Sequence, residues 1–236
     1  MDTKTLMDEA LKMAGLDAIP YDSTINHPGT GIRKILAGVD METAELLLAR
    51  ELGCDCVVSH HPVGDTALTD CGKIIDSQID HMVRYGVPIN KAQKALTEAN
   101  KKADYHFHVS NYDRFSSAAR LLDMPYLNIH QPADLITEQT VQDHLDKELA
   151  GQDKATLQDV IDALMKMNEY QQALTRPVIR VGGEDSYAGR VVVTMAGGTD
   201  GGTPVHKAYF EAGVGTLVLM HVNEKVAEED TKLNLG

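Results

Sequence analysis

Residues 34–59 have the sequence KILAGVDMETAELLLARELGCDCVVS, in which two short apolar runs flank a segment with helical spacing. The pattern predicts a strand over 34–39, a helix over 41–52 that ends at Gly53, and a second strand over 54–59. A strand, a helix and a strand in such a short stretch are typical of a βαβ unit with a parallel strand pair. The expected fold class is therefore α/β.

The rest of the chain continues this alternation, and its polar segment 131–155 is the best candidate for a boundary between two lobes, about 1–130 and about 131–236. Further helices are predicted over 3–14, 73–85, 90–103, 116–122, 140–149 and 156–168, with two more starting at Thr203 and near Asn223. Further strands are predicted over 105–109, 126–129, 177–181, 189–195 and 216–220.

The composition excludes several classes of function. The 236 residues are 43% hydrophobic, which is enough for one large core or two small ones. The net charge of −13 argues against nucleic acid as a direct partner, because duplex binding requires a basic patch. The longest apolar runs, 190–196 and 214–220, are far shorter than the about 20 residues that a membrane span needs. We therefore expect a cytoplasmic protein with no membrane partner.

The three cysteines, Cys54, Cys56 and Cys71, do not form a disulfide framework, because their number is odd and the chain is long. This usage favours a reducing compartment. Cys54 and Cys56 alternate on the predicted strand, so we expect them to share one face as small buried residues.

The sharpest local motif is the SHHP sequence at 59–62, at the end of the second strand. Ligands in open α/β sheets gather outside the carboxyl ends of strands. Adjacent residues of an extended backbone point to opposite sides, so His60 and His61 are expected to serve two different ions rather than one. The alternative is that both histidines are only polar loop residues.

A similar arrangement recurs near the C-terminus, where His221 follows the predicted strand 216–220 and Glu224 lies three residues further on. An imidazole and a carboxylate at this spacing can reach one ion, and this ligand set suits zinc, iron or manganese. The alternative for Glu224 is a favourable interaction with the dipole of the following helix.

A third candidate is the segment that contains His106, His108 and Asp113. The two histidines are predicted to lie on one face of the strand 105–109, and Asp113 is predicted to bridge two cations. The alternative is that Asp113 caps the next helix.

Other polar features carry weaker signals. The Gly-rich loop 197–202 precedes a predicted helix and either binds an anion or, as we favour, forms a tight turn. His130 follows the predicted strand 126–129 and is in a position to line a cleft. His81, His144 and His206 fall within predicted helices and are interpreted as surface or packing residues.

The motifs together resemble the Ngg-interacting-factor-three-like family, often labelled type-2 GTP cyclohydrolase I, along nearly the whole chain. The resemblance implies two similar α/β lobes with mixed sheets, a dinuclear metal centre in the cleft between them, and ring-shaped homo-oligomers, commonly hexamers. The residues that carry it are GIRKILAGVD at 31–40, SHHP at 59–62, GGT at 197–199 and GVGT at 213–216, followed by His221 and Glu224.

The resemblance also implies specific ligands. It assigns His60, His61, His221 and Glu224 to two divalent ions, and it includes an Asp in a His-x-x-x-Asp pattern. His108 and Asp113 are assigned to that pattern here, although they lie five residues apart rather than four. The chain is similar to a short subgroup of the family that lacks an inserted middle domain.

Three functions are consistent with these residues. The first is a metal-dependent hydrolase of a small, nucleotide-like substrate, in which Glu224 or Asp113 is both ligand and proton acceptor. The second is a non-catalytic metal-binding regulator or chaperone. The third is an interaction scaffold whose metal site is vestigial.

Overall fold

A computed structural model describes residues 1–235 and confirms a mixed α/β fold. The chain divides into two compact units, each built from two segments. The first unit comprises 1–75 and 100–136, and the second comprises 76–99 and 137 to the C-terminus. The lobes predicted over 1–130 and 131–236 are continuous segments, and that lobe arrangement stays a prediction.

The elements are short and alternate along the chain, with a 3-10 turn at Cys71–Asp76. The strands are β1 Ser23–His27, β2 Ile35–Gly38, β3 Cys56–Ser59, β4 Tyr126–Ile129, β5 Val191–Thr194 and β6 Thr216–Leu219. The helices are α1 Thr3–Ala14, α2 Thr43–Glu51, α3 Asp65–Thr69, α4 Ser77–Arg84, α5 Ile89–Ala95, α6 Thr97–His108, α7 Asp113–Leu122, α8 His130–Glu148, α9 Leu157–Leu164, α10 Asn168–Gln172, α11 Thr203–Glu211 and α12 Glu224–Lys232.

The first unit contains a mixed sheet with the strand order β1-β4-β3-β2. Its centre is parallel, since β2 pairs with β3 and β3 pairs with β4 in the same direction. The edge strand β1 runs antiparallel to β4. The β2–α2–β3 unit is thus the parallel βαβ unit that residues 34–59 predict.

Both faces of β3 are buried, which explains its continuous apolar sequence. Val57 packs on one face with Leu46 and Tyr126, and Cys56 packs on the other with Met7 and Leu127. Burial raises the pKa of the Cys56 thiol to about 12, so this side chain acts as a small apolar residue.

The cysteines are free and buried, as expected for the two on the 54–59 segment. The expectation that Cys54 and Cys56 share a face is wrong. Cys54 joins the cluster of Val57, whereas Cys56 joins the cluster of Met7. The reason is that β3 begins only at Cys56, so the alternation of a strand does not extend back to Cys54.

The second unit contains the parallel pair β5–β6, with Val191 opposite Thr216. Its core gathers apolar side chains of α8 and α9, including Val141, Leu145 and Val160, against Val193 of β5. No helix in the part of the chain that the structure describes is long and apolar enough to cross a membrane.

The strand predicted over 105–109 is wrong, because these residues form the end of α6 and the residue after it. Ala103 and Phe107 lie one helical turn apart and both approach Gly72 closely. Helical packing of this face therefore overrides the alternation of polar and aromatic residues that favoured a strand.

Other boundaries also differ. Residues 177–181 form no strand, and Ile179 packs its side chain against the second core instead of pairing its backbone. The helix predicted over 90–103 is broken into α5 and α6. Much of the polar segment 131–155 lies within α8, and the edge strand β1 was not predicted at all.

Two adjacent leucines of α2 test which face of this helix is buried. Leu46 is fully buried in the first core, whereas Leu47 is 44% exposed. We expect Leu46→Ala to lower the free energy of unfolding by about 2–5 kcal/mol. The control Leu47→Ala should change it by no more than about 0.5 kcal/mol. Urea denaturation measures both, and equal losses would contradict the assigned face.

Candidate metal centre of the first unit

Three imidazoles converge in the first unit. The ligand atoms of His60, His61 and His130 all lie within 4.8 Å of one another. The ring centroids are 4.9 Å apart for His60 and His61, 4.7 Å for His60 and His130, and 5.5 Å for His61 and His130. Imidazole is the commonest metal ligand in proteins, and this spacing allows more than one ring to reach a single ion.

Parallel pairing of β3 and β4 brings the three residues together. His60 and His61 follow β3, and His130 follows β4. Because Ser59 pairs with Asn128 in a parallel register, both strands end at the same edge of the sheet. Open α/β sheets collect ligands at this edge.

The expectation that His60 and His61 point to opposite sides is wrong, since their rings lie side by side. The backbone bends at both residues instead of continuing the strand. The hydroxyl of Ser59 stabilises this bend, because it lies 2.9 Å from the carbonyl of His61 and 3.1 Å from that of Val39.

Two buried carboxylates flank the third imidazole. His130 Nδ1 lies 2.7 Å from an oxygen of the fully buried Asp22, and its Nε2 lies 3.7 Å from Asp134. A carboxylate accepts the Nδ1 proton, so Nε2 is left to face the cluster. Burial lowers the pKa of His130, but the hydrogen bond and charge of Asp22 together with Asp134 outweigh burial and raise it above its ordinary value.

Asp134 connects two of the imidazoles. Its second contact is His60, whose Nε2 lies 3.3 Å from the carboxylate. His130 and Asp134 are one turn apart on α8, which places both side chains on the same face of the helix. His61 differs, because its Nδ1 lies 2.7 Å from the exposed Asp40 near the surface.

The charges of this group fit a bound cation. Asp22 and Asp134 are both buried, and within residues 1–235 their ion-pair partners are histidines rather than Lys or Arg. Buried carboxylates are costly unless a cation compensates them. Imidazole nitrogens with a carboxylate oxygen form a ligand set that suits zinc, iron or manganese.

Asp113 and His108 lie elsewhere on the surface of the first unit. Asp113 starts α7, and its exposed carboxylate binds Ser117 and Arg120 at 2.6 Å each. These two hydrogen bonds hold the pKa of Asp113 below its ordinary value. His108 is the exposed last residue of α6. The metal-ligand group found among the described residues contains neither of them, and their ligand roles stay predictions.

His221 and Glu224 belong to the second unit. His221 comes just after β6, and Glu224 is the first residue of α12, so the predicted local arrangement of strand, His and Glu is confirmed. Glu224 lines a cavity of about 390 Å³ together with Arg180 and Glu228. That these residues complete a metal centre stays a prediction.

Comparisons with known proteins place this geometry in a family. No protein-family model and no curated protein matches the chain. The crystal structure of a NIF3 superfamily protein from Sphaerobacter thermophilus does match, with 36% sequence identity and a TM-score of 0.96. The match covers 100% of this chain and 86% of that one. The chain belongs to the NIF3 superfamily. The resemblance seen in the sequence and the α/β fold that it implies are thereby confirmed.

Membership of the NIF3 superfamily and the histidine group together support metal binding. The histidine group also includes His130, for which the sequence alone carries only a weak signal. His130 and Asp134 are four residues apart and so match the His-x-x-x-Asp pattern, whereas His108 and Asp113 do not. The available signal was a histidine directly after a predicted strand, followed by an Asp at that spacing.

The contact between Asp22 and His130 generates a prediction about the metal-free protein. Asp22→Asn removes the charge that favours the imidazolium, so the pKa of His130 should fall. A pH titration of the histidine ring signals by NMR measures this pKa. The control Asp40→Asn removes an exposed partner of His61 and should leave the pKa of His130 nearly unchanged. An unchanged pKa in Asp22→Asn would show that the charge of Asp22 does not raise the pKa of His130.

Proposed function

We propose that this NIF3 superfamily protein is a dinuclear metal-binding protein that acts as a metal-dependent hydrolase of a small, nucleotide-like substrate. The observation that carries the proposal is the convergence of His60, His61 and His130 beside the buried carboxylate of Asp134. The family resemblance contributes the second ion and the ligands His221 and Glu224. The ions are zinc, iron or manganese, because the ligand set combines imidazole with carboxylate.

Within this proposal, His130 and Asp134 take the place in the His-x-x-x-Asp pattern that the sequence analysis gave to His108 and Asp113. Asp134 is buried and contacts two imidazoles, so it is placed to bridge. Asp113 is exposed and already neutralised by Arg120. Both oxygens of Asp113 already have partners, Arg120 and Ser117, with which an ion would have to compete.

The chain's own residues then have distinct roles. The chemistry that divalent ions supply when bound is polarisation of a substrate oxygen and activation of water. Asp22 fixes the ring of His130 through Nδ1, which keeps Nε2 available as a ligand. Glu224 is proposed as ligand and proton acceptor. The cavity beside Glu224 has a volume in the range of small-molecule sites, and its wall contains one cation, Arg180, beside the carboxylates of Glu224 and Glu228.

The proposal extends to assembly on the basis of the family resemblance, and to location on the basis of the cysteine usage and the short apolar runs of the sequence. We propose a ring-shaped homo-oligomer, a hexamer, in the cytoplasm. The acidic composition accords with the absence of nucleic acid as a direct partner.

A second function is favoured by a different observation, namely the exposure of part of the histidine group. His61 and its partner Asp40 are both exposed, which gives an ion at this position access to solvent. An accessible ligand allows metal exchange, as a non-catalytic regulator or metal chaperone requires. The two functions differ in turnover and not in metal content.

Metal analysis of protein purified without a histidine tag tests the site itself. We expect bound zinc, iron or manganese in the wild type and a clear loss of metal in His60→Ala and in His130→Ala. The matched control is His108→Ala, which removes an exposed histidine of the same unit and should retain the metal. Equal metal content in all four proteins would reject the centre. Metal loss in His108→Ala alone would restore the original assignment of the His-x-x-x-Asp pattern.

A turnover assay separates the two functions. Hydrolysis of purine nucleotides, phosphoesters, amides or cyclic amidines by the loaded protein should be lost after chelation and restored by manganese, iron or zinc. Glu224→Gln should reduce kcat by about 100-fold or more, as expected on removal of a proton acceptor. A metal-saturated wild type with no turnover of any of these substrates would instead support the non-catalytic function.

A further inference from the structure

A buried contact between an imidazole and a carboxylate connects α11 and α12 in the second unit. His206 Nδ1 lies 2.6 Å from Asp230, and these residues are only 2% and 4% exposed. The sequence alone indicates only a surface or packing role for His206. The structure instead buries His206 against the carboxylate of Asp230, so the ring has a defined partner and not only packing contacts.

The second nitrogen of His206 contacts the Gly-rich loop. His206 Nε2 lies 2.8 Å from the backbone carbonyl of Asp200, which can only accept a hydrogen bond. Both nitrogens of the ring therefore face oxygen acceptors. This fixes the orientation of the ring and holds the backbone of Asp200 at a fixed place relative to α12.

The carboxylate of Asp200 in turn holds the turn that follows β6. One oxygen accepts the backbone N–H of Gly202 at 3.1 Å, and the other accepts that of Asn223 at 3.1 Å. The side chain of Asn223 caps α12 by accepting from the N–H of Lys225 at 3.0 Å. Asn223 is thus fixed through both its backbone and its side chain.

The turn held in this way carries both candidate ligands of the second unit. Residues 220–223 lie outside β6 and α12, with His221 two positions before Asn223 and Glu224 directly after it. Both ligands are exposed, so their side chains receive little orientation from burial. Hydrogen bonds to a charged acceptor are stronger than those between neutral groups, and one of them acts on Asn223.

We propose that Asp200, fixed by His206 and Asp230, is a positioning residue that sets the backbone of the 220–224 turn and thereby the approach of His221 and Glu224 to a metal ion. The proposal rests on the proposed function for the role of these two ligands. The effect of Asp200 on the backbone of the turn is independent of the proposed function. Stabilising the Gly-rich loop alone would require only the hydrogen bond that the Gly202 N–H donates to Asp200.

Amide exchange in the metal-free protein tests the positioning without any metal. In the wild type the amide of Asn223 should exchange more slowly than those of His221 and Val222, as measured by NMR. In Asp200→Asn the amide of Asn223 should exchange at least about tenfold faster, because its charged hydrogen-bond acceptor is removed, while the amides of His221 and Val222 should change little. The control Asp185→Asn removes an exposed carboxylate of the same unit and should leave these rates unchanged. An unprotected Asn223 amide in the wild type would overturn the proposal even if Asp200→Asn fails to fold.

Metal binding provides the second readout. Asp200→Asn should weaken metal affinity by about 10- to 100-fold. It should also change the visible absorption of the cobalt-loaded protein. The melting temperature of its metal-free form should stay close to that of Asp185→Asn. Wild-type affinity, exchange rates and cobalt spectrum in Asp200→Asn would overturn the positioning role. Absence of metal binding in the wild type, with exchange rates as expected, would reject the proposed function and leave the role of Asp200 in the turn intact.

Discussion

Parallel pairing of β3 with β4 determines the position of the histidine group. The register determines where the two strands end relative to each other. Because Ser59 lies opposite Asn128, the residues that follow β3 and β4 leave the sheet at the same edge. A shift of this register by a single residue would reverse the faces of β3, and both faces are buried. The apolar cores therefore specify the register, and the register places three imidazoles within reach of one another.

The buried carboxylates connect this geometry to stability. Asp22 and Asp134 have lost contact with water, and the positive charge available to them in the described part of the chain comes from imidazoles. Desolvating a carboxylate is costly unless it is paired. A cation held by the same group would offset that cost, and a ligand that binds only the folded state stabilises it. Binding of a cation would thus be coupled to the stability of this unit through the same two side chains.

The sequence predicted well where signals are local and failed where they depend on tertiary contacts. Glycine-terminated helices and apolar runs were enough to predict β2, α2 and β3, and the position of His60 and His61 after β3 followed from them. The segment 105–109 has a mixed pattern of aromatic and polar residues, yet it ends α6, and Phe107 packs near Gly72, a contact between distant segments that the local pattern does not encode. The division of the chain into interleaved units depends on contacts between distant segments, which no local pattern encodes.

The missed role of His130 has a specific physical cause. A histidine after a strand is informative only if that strand neighbours another one that carries ligands, and strand order is a tertiary property. Asp22 had no signal at all, because it precedes an edge strand that was not predicted and it acts through a contact across 108 residues of chain.

The three imidazoles differ in how firmly they are held, and this bears on how the group exchanges its ligand. His130 is fixed by a fully buried carboxylate at 2.7 Å, whereas the partner of His61 at the same distance is exposed. An exposed ion pair contributes little to orientation, since solvent competes for both groups and the side chains lose entropy when they pair. One side of the group is therefore preorganised and the other is adaptable. An ion held by this group would therefore be reached by solvent from the His61 side, while the His130 side would stay fixed by Asp22.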